Sequence, residues 1–199
     1  MLRRAKGAVL ARAGLTVERV VEAAADLADE AGFDRVTVSA VARGFGVKDA
    51  SLYSHIRSLQ DLRERVAVRS AGELADRVGA ALMGCSGRDA LMAFADAYRT
   101  FALAHPGRYQ AQQLAMAPGR WAELGGDLRG IEATYALLRG YGLTEPAVTD
   151  AARLLRSAFH GFVLVESHGG FLAARSPAQS WPEVVDALHR ALSTWPAGA

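Results

Sequence analysis

Side chains suited to contacts with nucleic acid are concentrated between residues 36 and 62. This window carries hydroxyl, imidazole and cationic groups in two short segments that Gly46-Val47 separates. Hydroxyl and cationic groups bind phosphate oxygens, and a lysine can also donate to the acceptor atoms of guanine. The chemistry that these residue types favour is recognition of DNA, provided that the surrounding elements hold them on one surface.

Two short helices joined by a tight turn are predicted to hold this window. The first follows Thr37 and turns Val38, Val41, Ala42 and Phe45 inward, and Gly46 ends it. The second is predicted over residues 48–56, with Leu52 inward. A second helix that protrudes in this way can enter a major groove about 12 Å wide. The pattern therefore predicts a helix-turn-helix.

Apolar residues recur at helical spacing along almost the whole remaining chain, and no alternating strand pattern is present. A long first helix is predicted between Thr16, its N-cap, and Gly32. The motif from Ser58 to Asp61 predicts another helix start, and Ser180-Trp181-Pro182-Glu183 predicts the start of the last helix. The sequence thus predicts about nine helices and no sheet, so the predicted fold class is all-α.

The predicted domain boundary lies near Ser70, inside a long helix that both domains share. Residues 1–70 are predicted to form the helix-turn-helix DNA-binding domain, with a short basic tail at its N-terminus. Residues 71–199 are predicted to form a larger helical domain for ligand binding and dimerisation.

The window resembles the helix-turn-helix of the TetR/AcrR family of bacterial transcriptional regulators. Thr37, Gly46-Val47 and the run from Ser51 to His55 match the family pattern, and the match covers roughly residues 15–65. Phe159-His160-Gly161 is similar to a branch named for a Trp-His-Gly motif, with Phe in place of Trp. The resemblance implies a three-helix DNA-binding domain joined through a long helix to a larger helical domain.

The resemblance also implies roles for individual residues. Family positions that mostly hold the DNA backbone are matched by Thr37, Ser51, Tyr53 and His55. The candidates for contacts with base edges are Lys48, Asp49, Ala50 and Ser54. Many members carry a phosphate-binding lysine where this chain has Leu59, so Arg57 or Arg63 would supply that charge. Taken singly, Tyr53 could equally be a half-buried aromatic residue and His55 an ordinary surface residue.

The charge balance fits a local DNA-binding head better than a generic polyanion binder. The chain has 23 Lys and Arg against 21 Asp and Glu, a formal net charge of +2. The first 70 residues hold 12 of these cations against 9 acids, and the remainder holds 11 against 12. Arg3, Arg4, Lys6 and Arg12 form a basic cluster that either reaches a minor groove or is a solvated terminus.

The single cysteine, Cys85, excludes an intrachain disulfide and a metal site built on several cysteines. It is interpreted as an ordinary turn residue, with a redox-sensing thiol as the alternative. No segment reaches the roughly 18 uninterrupted apolar residues of a membrane span. We expect a soluble, cytoplasmic protein with no cofactor, no metal and no membrane partner.

Aromatic residues of the larger domain are candidates for an apolar ligand pocket, although aromatics at helical spacing are also typical of an ordinary core. The candidates are Phe94, Tyr98, Phe101, Tyr109, Trp121 and Phe159, with Gln112, Gln113 and His160 as polar anchors. No catalytic constellation is found, because Glu166 points away from His160 and His168 at ~100° per residue.

The last two long helices carry features of a two-fold interface. Ser157 and Gly161 place small side chains one turn apart, and Trp195 ends the final helix. The family resemblance implies the same dimer, and with it we expect a homodimeric repressor that binds a palindromic double-stranded DNA operator and is released by a small-molecule effector. A transcriptional activator with the same DNA-binding head is one alternative. An all-helical small-molecule carrier or enzyme is the alternative from a different class.

Overall fold

A computed structural model describes residues 14–196, and within this range helices are the only regular secondary structure. It has nine α-helices and two single 3₁₀ turns, Phe33–Arg35 and Asp49–Ser51. The helices are α1 Val17–Ala31, α2 Val38–Phe45, α3 Leu59–Leu82, α4 Gly87–Ala104, α5 Pro106–Ala111, α6 Arg120–Glu123, α7 Arg129–Arg139, α8 Ala147–Ser167 and α9 Pro177–Ser193. The predicted all-α fold class is confirmed. The basic cluster from Arg3 to Arg12 lies outside the described residues.

The first helix forms where the sequence predicts it. The Thr16 hydroxyl accepts a hydrogen bond from the backbone N–H of Arg19, which satisfies a donor that has no partner within the helix. Gly32 follows the last turn with a positive φ of 97°, a conformation that residues with a Cβ rarely adopt.

The last helix begins earlier than the sequence predicts. Ser176 is the N-cap of α9, and its side chain and that of Gln179 form a reciprocal capping box. The predicted start at Ser180 is therefore wrong, and Pro182 lies inside the first turns of the helix. Pro177 stands at the first helical position, where a proline is favoured because the N–H that it lacks would have no partner within the helix.

The chain divides into two compact units, which differ from the two predicted domains in one segment. Of the described residues, unit 1 contains 14–72 together with His105–Asp127. Unit 2 contains Glu73–Ala104 and residues 128–196. The crossing inside α3 lies close to the predicted boundary at Ser70. Residues 105–127, here called the returning segment, were expected in the larger domain but pack within unit 1.

Close packing and ion pairs hold the returning segment in unit 1. A Cβ on Gly107 would lie 2.0 Å from the carbonyl carbon of Ala28 in α1, so only glycine fits this approach. The backbone N–H of Arg108 donates to Asp29 at 2.8 Å, and the Arg108 guanidinium binds both Asp29 and Asp26. These contacts join residues about 80 positions apart, so helical periodicity does not reveal them.

Each unit has its own apolar core. The core of unit 1 is built from α1, α2, α3 and the turns between them, with Val20, Ala24, Phe33, Val41, Phe45, Leu52, Ile56, Leu62 and Val66 among its buried side chains. The core of unit 2 includes Leu91, Phe94, Leu138, Leu155, Phe159, Trp181 and Val185. None of the helices described between residues 14 and 196 is long and apolar enough to cross a membrane.

Candidate nucleic-acid interface

Helix α2 is fixed at both ends by the residues that the sequence singles out. The Thr37 hydroxyl accepts from the backbone N–H of Ala40 at 3.1 Å, as an N-cap does. Its own O–H is then left to donate to an incoming phosphate oxygen. Gly46 ends the helix in the left-handed conformation, with φ 70° and ψ 27°. The chain turns there toward the segment that would meet DNA.

Residues 48–57, here called the reading segment, do not form the second α-helix that the sequence predicts. Only Asp49–Ser51 forms a 3₁₀ turn. The backbone hydrogen bonds that follow it, up to residue 56, belong to turns. The N–H groups of His55 and Ile56 both donate to the Leu52 carbonyl, at 2.8 and 3.0 Å. Leu52 and Ile56 are both buried and anchor the segment on the core of unit 1.

The predicted DNA contacts share one exposed stretch of chain. Thr37, Lys48, Asp49, Ala50, Ser51, Tyr53, Ser54 and Arg57 are all exposed, and His55 is half-buried. Tyr53 is 55% exposed, so a half-buried core role does not describe it. An aromatic ring left in solvent beside hydroxyl and cationic groups suits contact with a DNA backbone.

Two side chains of the reading segment already have partners that limit what they can contact. The Ser54 hydroxyl donates to the Ser51 carbonyl at 2.9 Å, so toward DNA it is available as an acceptor. The Asp49 carboxylate accepts a hydrogen bond from the Ser39 hydroxyl of α2. By contrast, Lys48 has no hydrogen-bond or ion-pair partner among residues 14–196.

The structure separates the two arginines that were expected to replace the missing lysine at Leu59. The Arg63 guanidinium donates to the carbonyls of Asp34 and Val36, at 2.9 and 3.3 Å, and lies over the Phe33 ring. The Arg57 side chain is exposed and has no partner within the described part of the chain. Arg57 is therefore the candidate for the phosphate contact, and Arg63 stabilises the turn before α2.

Substitution of these two arginines should have opposite consequences. We expect Arg63→Ala to lower the free energy of unfolding by about 1 to 2 kcal/mol, because two carbonyls lose a charged donor. We expect Arg57→Ala to leave stability unchanged but to weaken DNA binding and to reduce its salt dependence by about one phosphate contact. Urea denaturation and fluorescence anisotropy at several salt concentrations measure the two effects. The reverse pattern would contradict the assignment.

A buried carboxylate network holds the start of α3. Asp61 accepts from the backbone N–H of Arg57 at 2.9 Å and from the guanidinium groups of Arg65 and Arg120. Glu64 accepts from the Arg120 Nε at 2.7 Å and from Gln60 at 3.0 Å. Arg120 belongs to the returning segment, so this network joins that segment to the reading end of α3.

The pKa values of both carboxyls reflect these donors. Burial by itself would raise the pKa of Asp61, but the hydrogen bonds from Arg57, Arg65 and Arg120 outweigh burial and bring the pKa below its usual 3.8. The hydrogen bonds from Arg120 and then Gln60 lower the pKa of Glu64. Both groups are therefore ionised near neutral pH, and Arg120 is held between two negative charges.

The predicted ligand-pocket residues fall into both units. In unit 2, the Phe159 ring lies within contact of Phe94, Tyr98 and Trp181, at centroid distances of 6.1, 5.8 and 5.6 Å. Phe101 is fully buried in the same unit, and His160 is half-buried. Tyr109, Gln112, Gln113 and Trp121 belong to unit 1. The sequence did not reveal this division, because helical spacing does not show which neighbour a face contacts.

Two open clefts occur in unit 2, and neither is lined by the predicted pocket residues. The larger has a volume of about 300 Å³ and lies between the end of α3, the start of α4 and α7, with Leu82, Ala90, Ala133, Leu137 and Cys85 in its wall. The smaller, about 210 Å³, is lined by Phe162, Phe171, Ala173, Arg175, Pro177 and Ser180.

The acidic and histidine residues of α8 have structural partners. Glu166 forms a two-pronged ion pair with Arg99, with atom distances of 2.8 and 2.5 Å, and Arg99 also lies over the Trp181 ring. Within residues 14–196, no group of three His, Cys, Asp or Glu side chains is arranged to hold a metal ion. Cys85 is exposed.

Comparison with known proteins matches both parts of the chain. The family described as "Bacterial regulatory proteins, tetR family" matches residues 20–66. The family described as "Tetracyclin repressor-like, C-terminal domain" matches residues 91–188. The HTH-type transcriptional regulator Rv0681 of Mycobacterium tuberculosis is 40% identical over 161 residues, which are 79% of this chain and 72% of that protein.

Solved structures share the fold at lower identity. BioQ bound to its double-stranded DNA operator has a TM-score of 0.65 at 20% identity, covering 91% of this chain and 99% of that one. A TetR variant from Acinetobacter baumannii in complex with minocycline has a TM-score of 0.71 at 19% identity, covering 93% and 100%. The family assignment rests on the sequence matches, and the solved structures support the fold alone. The chain therefore belongs to the TetR family and is a DNA-binding transcriptional regulator, not an enzyme.

Proposed function

We propose that this regulator is a repressor that binds a palindromic operator as a homodimer and leaves it when a small molecule binds. The observation that carries the DNA-binding part is the exposed reading segment, which Leu52 and Ile56 anchor on the core of unit 1. Lys48, Tyr53 and Arg57 extend from it into solvent. A rigidly anchored surface with free cationic and hydroxyl groups suits phosphate contacts and nearby base contacts.

The outward face of α8 supports the homodimer. Leu154, Leu164 and Val165 are 37, 45 and 39% exposed. Between them Ser157 and Gly161 place small side chains on the same side of the helix, and a Cβ on Gly161 would meet nothing within 4 Å in this chain. A second copy could therefore approach closely and cover the apolar side chains. Trp195, also predicted at the interface, is half-buried and packs against the core of unit 2.

The path of the chain supports a link between unit 2 and the reading segment. The returning segment leaves unit 2 after Ala104, packs within unit 1 and rejoins unit 2 at Leu128. Arg108 fixes this segment to α1, and Arg120 fixes it to α3. We infer that the two covalent connections of this segment, after Ala104 and before Leu128, transmit the effect of a small molecule that binds unit 2.

An effector site in unit 2 has two separate kinds of candidate lining. One is the aromatic cluster of Phe94, Tyr98, Phe101 and Phe159 with His160, and the other is the two open clefts, which these residues do not line. Most of unit 2 lies in the part of the chain that matches the C-terminal family domain. The structural neighbour in complex with minocycline carries a small molecule on the same fold. A compound that acts as the effector should raise the thermal midpoint of the free protein and lower its affinity for the operator, by the linkage of the two equilibria.

Selection of bound sequences from a random pool of duplex DNA tests the proposal. We expect a palindrome whose half-sites are about one DNA turn apart or somewhat more. Lys48→Ala and Tyr53→Ala should each weaken binding to this palindrome by at least about tenfold. The control is Arg139→Ala, which removes one exposed positive charge from unit 2. Recovery of no palindrome, or full affinity in both variants, would overturn the proposal.

An activator with the same head remains the second candidate, since the reading segment serves either role equally. A reporter gene under the selected operator separates the two in a strain without this regulator. Restoring the regulator lowers expression if it is a repressor and raises it if it is an activator.

A further inference from the structure

The inference concerns Asp49, the first residue of the 3₁₀ turn in the reading segment, and it rests on the proposed DNA-binding function. The Asp49 Oδ2 accepts a hydrogen bond from the Ser39 hydroxyl, which belongs to the first turn of α2. Both residues are exposed. The bond joins the two elements of the helix-turn-helix across ten positions of sequence, so the carboxylate is held in a fixed place.

The charge of Asp49 is not neutralised by a neighbour. Among residues 14–196 no arginine, lysine or histidine forms an ion pair with this carboxylate, and Ser39 is neutral. The neighbouring Lys48 is exposed and also unpaired. The reading segment therefore presents a fixed negative charge next to a mobile positive one, on the surface where phosphates would approach.

A carboxylate in this position acts differently on the two kinds of DNA complex. Binding to random DNA is almost entirely electrostatic, and the protein samples many registers along the duplex. Many of these registers bring a phosphate close to Asp49, and the two like charges repel each other. In the operator complex a single register is fixed by the other contacts, and phosphates can be placed away from the carboxylate.

We propose that Asp49 is a specificity residue that Ser39 positions, and that it works by excluding phosphate rather than by reading a base. The Ser39 bond is needed because an unattached aspartate on an exposed turn would rotate away from a phosphate at little cost. The Ser39 hydroxyl donates its hydrogen bond to Asp49 and is correspondingly unavailable as a phosphate donor. Ser39 and Asp49 thus act together as a hydrogen-bonded pair that weakens binding to DNA other than the operator.

Two variants separate the charge from the hydrogen bond. Asp49→Asn keeps the size of the side chain and an acceptor for Ser39 but removes the charge. Ser39→Ala keeps the charge but removes the bond. The matched control is Glu132→Gln in unit 2, which removes an exposed carboxylate that has no partner within the described residues. The thermal midpoint of each variant shows whether it is folded.

The experiment measures affinity for random duplex DNA and for the selected operator at several salt concentrations. We expect Asp49→Asn to bind random DNA about 3- to 10-fold more tightly and with a steeper salt dependence, while operator affinity changes less than about 3-fold. Ser39→Ala should shift the ratio of the two affinities in the same direction by a smaller factor. Glu132→Gln should leave the ratio unchanged.

Two results would overturn the inference. If Asp49→Asn weakens operator binding and leaves random DNA unaffected, then Asp49 reads a base directly. If neither affinity changes, then the carboxylate has no role in DNA discrimination. Both results leave the proposed function intact, because the wild-type protein still selects its operator. Failure of the proposed function has another signature, namely that the wild-type protein binds all duplexes equally or none.

Discussion

Replacing Gly107 with alanine is expected to lower the free energy of unfolding of unit 1 by about 3 kcal/mol or more. The new Cβ would lie 2.0 Å from the carbonyl carbon and oxygen of Ala28 and 2.5 Å from the backbone nitrogen of Asp29. These are backbone atoms inside α1, so they cannot move aside as the end of a flexible side chain would. Either α1 and α5 separate or one of them distorts. In both cases the bonds between Arg108 and Asp29 are lost.

The control for Gly107 is a glycine with open space around it. Gly79 lies inside α3, and a Cβ there would meet nothing within 4 Å. Gly79→Ala should therefore stabilise the protein by about 0.5 to 1 kcal/mol, because alanine loses less backbone entropy in a helix. Urea denaturation followed by circular dichroism measures both variants. Equal stability of Gly107→Ala and the wild type would show that α5 does not pack against α1 in solution.

Replacing Asp61 with alanine is expected to cost about 3 to 5 kcal/mol of unfolding free energy, the usual effect of breaking a buried ion pair. The Asp61 side chain is only 4% exposed, and its loss leaves the backbone N–H of Arg57 and the guanidinium of Arg65 without their acceptor. Arg120 keeps Glu64 as its partner, but one of the two bonds that join it to α3 disappears. The returning segment should also become more susceptible to proteolysis.

The control for Asp61 is an ion pair of the same chemical type in solvent. Asp76 pairs with Arg129 inside unit 2, where the two side chains are 64 and 53% exposed. Asp76→Ala should change stability by less than about 1 kcal/mol, because exposed pairs contribute little. A similar cost for both substitutions would indicate that burial of the Asp61 network is not what stabilises α3.

The effect of Asp61 should also depend on pH in a defined direction. Its pKa in the folded protein lies below its usual 3.8, so the carboxylate stabilises the folded state fully at pH values above that usual pKa. This contribution is lost as the pH falls through the lowered pKa of the folded state. The difference in stability between wild type and Asp61→Ala should therefore be constant from neutral pH to about pH 5 and should shrink in stronger acid. A difference that shrinks between pH 8 and pH 6 would contradict this account.

Local signals in the sequence predict most of the helix-turn-helix correctly. Thr37 caps α2 and Gly46 ends it, and Leu52 is buried, as the spacing indicates. These features depend on contacts within a few residues, such as a hydroxyl that reaches the N–H three residues on. Even here the reading segment forms a 3₁₀ turn at Asp49–Ser51 followed by turns, and not the α-helix that the spacing predicts.

Competing local signals led to the misplaced start of α9. Ser180 and Ser176 are both followed, three residues later, by a side chain that can complete a capping box. The motif Ser180-Trp181-Pro182-Glu183 predicts a helix start at Ser180. In the folded chain Ser176 and Gln179 form the box, and Trp181 is buried in the core of unit 2. Burial of one large aromatic side chain outweighs the small difference between two caps.

The sequence by itself determined the all-α fold, the helix-turn-helix, the family and the set of outward residues that suit DNA, because each depends on short-range spacing. The tertiary structure decided which charges are available. In the folded chain the Arg63 guanidinium donates hydrogen bonds to the carbonyls of Asp34 and Val36, whereas the Arg57 side chain stays exposed. The tertiary structure also places residues 105–127 in unit 1 through Gly107, Arg108 and Arg120. These contacts join residues tens of positions apart, and helical periodicity shows that a face is buried without showing which distant face covers it.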